Sequence, residues 1–109
     1  MIYHKEAFNV TITAGTGAAN TGRLYGRIEQ LLCIPQNSSG GIVASAVWNL
    51  SVTDKDGDRV NYAEEHTGAL DDRTALPIGR DITEIWTFSF TSVTGSPDRM
   101  RIVLKVYEK

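Results

Sequence analysis

Apolar and polar residues alternate with period two along most of this chain, which is the mark of strands with one face buried. Phe8, Val10 and Ile12 alternate with Asn9, Thr11 and Thr13. From Ile42 to Thr53, Ala44, Ala46, Trp48, Leu50 and Val52 take one side. Ser45, Asn49, Ser51 and Thr53 take the other, with Val47 as the exception. Arg59 to Ala63 reads as a short strand that pairs back on its predecessor. Alternation weakens between Ala63 and Asp81, where Gly68, Pro77 and Gly79 signal turns. It returns from Glu84 to Val93, where Trp86, Phe88 and Phe90 share a face. After the turn Gly95-Ser-Pro-Asp98, Met100, Ile102, Leu104 and Val106 lie opposite Arg101, Val103, Lys105 and Tyr107.

The segment from Arg23 to Ile34 fits two elements. A strand places Leu24, Ile28, Leu32 and Ile34 inward. A helix uses Leu24, Ile28, Leu31 and Leu32, with Asn20 or Thr21 as its cap. Gly26 weakens both, and Pro35 ends either. Its neighbours are all strands, so a strand is the expectation. The whole then reads as an all-β chain, an antiparallel β-sandwich of six to seven strands. Immunoglobulin-like and jelly-roll-like topologies both fit this pattern. In this register Leu31, Cys33, Val47, Val103 and Tyr107 fall outside and form an apolar patch, unless a bulge reverses the phase.

Composition narrows the partners. The 109 residues suit one domain spanning 1–109. Eleven Lys+Arg against 13 Asp+Glu leave a net charge of -2, so no chain-wide basic surface exists for nucleic acid. No apolar run reaches the roughly 20 residues of a membrane helix. One cysteine closes no internal disulfide. The opening MIYHKEAFNV lacks the apolar core of a secretory leader, and the chain reads as complete. An origin inside a cell or on a virus particle is therefore expected. The sequons at Asn9, Asn37 and Asn49 then read as chance matches.

Few residues suggest chemistry. Asp54, Asp56 and Asp58 stand at alternate positions around Gly57, as hard-oxygen ligands do in a calcium loop. Glu65 falls at the twelfth position from Asp54, but Arg59 stands where such a loop needs glycine. The plainer reading is a hairpin turn whose Asp-Gly pair supplies the backbone geometry. His4, in a mobile terminal segment, and His66, in a loop, give no zinc spacing with Cys33. Asp71-Asp72-Arg73 reads as a solvated loop with a local ion pair. Gly15, Gly17 and Gly22 form a mobile connection without the lysine of a phosphate loop. Arg23, Tyr25 and Arg27 could form a basic–aromatic face, but Glu29 shares it. Trp86, Phe88 and Phe90 read as core rather than as a ligand platform. No catalytic residue, cofactor or firm metal site is expected.

A family resemblance adds to this. The strand Ala7-Phe-Asn-Val-Thr-Ile-Thr13 opens the chain, and a long segment Gly22 to Ile34 follows. Trp48-Asn-Leu-Ser-Val-Thr-Asp-Lys-Asp-Gly-Asp58 is a strand running into a charged turn. Leu76-Pro-Ile-Gly79 leads into Glu84-Ile-Trp-Thr-Phe-Ser-Phe90, and Arg99-Met-Arg-Ile-Val-Leu-Lys-Val-Tyr107 closes the chain. This order resembles the small β-sandwich proteins of tailed bacteriophage particles, capsid decoration (cement) proteins among them. The resemblance implies a non-enzymatic, homo-oligomeric structural protein of the virion, on the capsid surface or in the neck or tail. Its implied partners are the major capsid protein or other virion proteins, with no nucleic acid or membrane. Residues 1–5, 15–22 and 64–79 are the expected contact segments. A carbohydrate- or calcium-binding module with exposed Trp48 or Tyr107 is the alternative.

Overall fold

A computed structural model describes residues 3–21, 27–54, 56–72 and 86–107. It is all-β, with no helix among the described residues. The strands are β1 (Tyr3–Thr11), β2 (Gly17–Asn20), β3 (Arg27–Gln36) and β4 (Val47–Thr53). They continue with β5 (Arg59–Thr67), β6 (Leu70–Asp72), β7 (Thr87–Thr94) and β8 (Arg99–Tyr107). The two beyond the alternating segments, β2 and β6, hold four and three residues, too few to display a period.

The strands form two four-stranded antiparallel sheets, ordered β1-β8-β3-β6 and β2-β7-β4-β5. Pairing is nested: β1 with β8, β2 with β7, β3 with β6 and β4 with β5. A long hairpin rolled around its own axis gives this order, so the sandwich is a jelly roll rather than an immunoglobulin fold. The chain changes sheet at a tight turn between β1 and β2, closed by reciprocal Thr13–Thr16 backbone bonds. Ala14 and Gly15 take positive φ there. A Cβ on Gly17 would collide with the Thr11 carbonyl, so the crossover has no space for a side chain. The expected mobile glycine connection is thus a tight corner followed by a strand. Likewise Tyr3, His4 and Lys5 pair with Tyr107, Val106 and Lys105 instead of forming a loose terminus.

The core lies where the alternation puts it for β4, β7 and β8. Trp48, Leu50, Val52, Phe88, Phe90, Met100, Ile102, Leu104 and Val106 are all buried. Phe8 on β1 meets Phe88 on β7 edge to face, at 5.8 Å between centroids, and so joins the two sheets. Trp86 is also buried, and its backbone N–H donates to Thr21 Oγ1 at 3.0 Å. Thr21 therefore holds an inter-strand contact and not a helix cap.

The expected phase of β3 is reversed. Leu31 and Cys33 are fully buried, while Leu32 and Ile34 are half-buried on the outside. The pairing of β3 with β8 shifts register between Ile28 and Gln30, and beyond the shift Leu31 faces Leu104 and Cys33 faces Ile102. An extra residue exchanges the faces of everything after it. Pro35 does not end the strand; β3 runs on to Gln36. Residues 23–26 of the ambiguous segment lie outside the described ones.

A bulged groove as the candidate functional site

Regular pairing fails around one residue of the second sheet. Asn49 sits on the outer face of β4, between Trp48 and Leu50, which point into the core. On the β5 side the register shifts between Trp48 and Leu50 and again between Leu50 and Ser51. On the β7 side it shifts between Val47 and Asn49. Each shift places an extra residue in the neighbouring strand. Glu65 (φ 47°) and Ser92 (φ 51°) take the left-handed conformation there. Non-glycine residues in that region cost roughly 1–2 kcal/mol each.

A bulge leaves backbone groups without a ladder partner. Here one side chain serves both neighbours: Asn49 Oδ1 accepts the Glu65 N–H at 2.7 Å. Its Nδ2 donates to the Thr91 carbonyl at a longer 3.4 Å. Bulges on both flanks raise the local twist and bend the strands. The outer face is hollowed into a groove of about 700 Å³. Arg59, Asn61, Ala63, Glu64 and Glu65 line it from β5, and Thr91, Ser92 and Thr94 from β7. Val47, Asn49, Leu50 and Ser51 supply the floor. Ser51 is only 4% exposed, and its hydroxyl meets no hydrogen-bond partner among the described residues. By contrast the other buried polar residue, Thr21, is bonded to Trp86.

The residues singled out by sequence lie elsewhere. Asp54 Oδ1 accepts the N–H groups of Asp56 (2.9 Å) and Asp58 (3.0 Å), and the Asp54 and Gly57 N–H groups close the turn. Gly57 takes φ 85°, as a tight hairpin requires. Glu65 does not complete a loop with these aspartates. Thr53 and Arg59 pair at the foot of the hairpin, whereas Glu65 lies far up β5 beside Asn49. No group of three metal-ligating side chains forms among the described residues.

His66 belongs to β5, not to a loop. Its Nε2–H donates to the Ala69 carbonyl at 3.0 Å, and its ring lies 5.0 Å from that of Trp48. Trp48 is fully buried and its Nε1–H donates to the Gly68 carbonyl at 2.9 Å, so it is no exposed platform. Cys33 is sealed in the first sheet, where burial pushes its thiol pKa far up. That suppresses the thiolate a nucleophile needs. Asp71 and Asp72 pair with Leu32 and Leu31 as strand β6. The side chains of His4, Arg27, Glu29 and Tyr107, and the whole of Arg23, Tyr25 and Arg73, lie outside the described residues.

The expected outer apolar patch changes membership. Leu31 and Cys33 leave it for the core, and Leu32 and Ile34 replace them beside half-buried Val103. Leu32 and Ala7 flank Val103 from either side, giving an apolar row across three strands. No protein-family model and no curated protein matches the chain.

Proposed function

We propose that this protein is a non-enzymatic structural protein of a tailed-bacteriophage virion, a decoration (cement) protein that clamps neighbouring capsid subunits. The observation carrying the reading is the complete jelly roll, an architecture that recurs in viral capsid domains. The warrant is an analogy of architecture, since one fold serves many functions. The row Ala7–Val103–Leu32, with Ile34 beside it, offers an apolar strip for a seam between shell proteins. Arg101 and Lys105 on the same strand supply flanking charge. Each copy would span a seam, so opening the shell would also break the copy's contacts.

The test is binding to expanded phage shells. Purified protein should saturate them and raise their melting temperature, and Val103→Asp should abolish the rise. Absence of binding to any shell overturns the reading. Copy number separates decoration from a neck or tail ring: on the order of hundreds per particle for the first, about a dozen or fewer for the second.

A further inference from the structure

We propose that the groove on the outer face of β4, β5 and β7 binds a neutral oligosaccharide. The inference stands apart from the virion reading, since a particle-bound protein and a free module would carry the same groove. Four observations converge on it. The first is the Ser51 hydroxyl, buried in the groove floor without a partner among the described residues. Native structures satisfy nearly all buried polar groups with protein, water or ligand, so a lone hydroxyl on a residue lining a cavity marks a place for another polar atom.

Second, six of the twelve lining residues are Asn, Ser or Thr. These give donors and acceptors without net charge, which matches a ligand made of hydroxyl groups. Third, the charged groups are uncommitted. Arg59 at one end and Glu64 at the other form no ion pair among the described residues. A guanidinium donates to ring and hydroxyl oxygens, and a carboxylate accepts from a vicinal diol. With Glu65 also present, two carboxylates against one guanidinium disfavour an acidic sugar.

The fourth observation separates a glycan from a peptide. An extended peptide docks on a sheet through a regular row of backbone N–H and C=O groups at an edge. β5 is the edge strand here, and the two shifts in its pairing with β4 bend and twist it away from a straight row. Recognition in this groove falls to side chains, with Val47 as a small apolar surface for the C–H face of a sugar ring. No aromatic ring among the described residues lines it, so the expected affinity is weak, with Kd of about 1 mM.

The experiment is an amide ¹H–¹⁵N NMR titration of the full chain with neutral gluco-, manno-, galacto- and xylo-pentasaccharides, each to about 10 mM. At least one should shift the amides of Asn49, Asn61 and Ser92. Arg59→Ala, at an exposed position, and Ser51→Ala, which removes an unpartnered hydroxyl, should each weaken binding about tenfold with no loss of melting temperature. Lys105→Ala, on β8 of the first sheet, should bind as the parent does. The proposal fails if no pentasaccharide moves the groove amides, or if the shifts fall outside the groove. It fails equally if Arg59→Ala and Ser51→Ala both bind like the parent. Binding of a mixed-charge decapeptide in place of every sugar would assign the groove to a protein partner and overturn the proposal.

Discussion

The two sheets do the same structural work by different means. Nine residues of β1 pair with β8 without a single shift. Beyond one early irregularity, β3 pairs with β8 just as evenly to Gln36. The second sheet shifts register on both sides of β4 and holds Glu65 and Ser92 in left-handed backbone. Both sheets nevertheless deliver fully buried side chains to one core. Packing therefore does not require bulges on both flanks of one strand, since the first sheet packs with a single early shift in β3. What the bulges add is shape on the outer face. Besides turning Val93 into the core, the strain held at Ser92 and Glu65 points to a role for that shape. The first sheet keeps regular pairing beneath its exterior, and the second has a hollow.

The largest expected effect tests whether the cores of the two sheets are equivalent. Trp48→Ala should cost about 4–5 kcal/mol, against about 3 kcal/mol for Leu104→Ala in the first sheet. Trp48 loses its edge-to-face contact with Phe90 at 5.6 Å, and the Gly68 carbonyl is left without its donor. Urea denaturation of both variants gives the comparison. Equal losses would mean that the Gly68 bond contributes nothing. The next effect isolates the bulges. Asn49→Ala should cost about 2 kcal/mol, because the Glu65 N–H and Thr91 carbonyl lose their shared partner. Val103→Ala, also half-buried but on the outside of the regular sheet, should cost about 1 kcal/mol. A reversed order would show that the bulges hold themselves without Asn49.

Alkali should sharpen the contrast, because the first sheet buries the only thiol. Burial raises the Cys33 pKa in the folded state, so its contribution to stability is fully present below the unfolded thiol's pKa. Above about pH 9 the unfolded chain ionises while the folded one does not, and stability falls by about 1.4 kcal/mol per pH unit. Cys33→Ala should lack that slope. The difference between the two pH profiles isolates the thiol from tyrosines and lysines that titrate nearby. Identical slopes would mean that the native thiol reaches solvent.

The same contrast explains what the residues disclosed. Where one face was apolar and the other polar, as in β4, β7 and β8, the alternation pointed the right side chains inward. In β3 the run Leu31-Leu32-Cys33-Ile34-Pro35 is apolar on both faces, so nothing local set the phase, and the early register shift inverted it. The stretch Gly15 to Gly22 reads locally as a mobile glycine connection, because the close approach of Gly17 to the Thr11 carbonyl shows only in the fold. The groove was missed for a related reason. Its floor is made of outward Asn and Ser that look like any solvated face, and its curvature comes from bulges. One signal was present: Phe88 and Phe90 are two apart, but the next buried residue, Val93, is three further on. A strand can make that step only by inserting a residue.

The smallest effect is the most direct probe of the difference between the sheets. Ser92→Gly and Glu65→Gly place glycine where the backbone already has positive φ. Relief of strain, roughly 1–2 kcal/mol, opposes the added entropy of the unfolded chain, roughly 0.4–1 kcal/mol. The net should be a gain between about zero and about 1.6 kcal/mol at each site. Arg101→Gly, in the regular β8, meets no strain to relieve and should lose roughly 0.5–1 kcal/mol. Opposite signs in thermal denaturation would locate stored strain at the bulges and not in the regular β8. If Ser92→Gly destabilises as Arg101→Gly does, the second sheet carries no strain, and the inference from strain to a shaped outer face loses its footing.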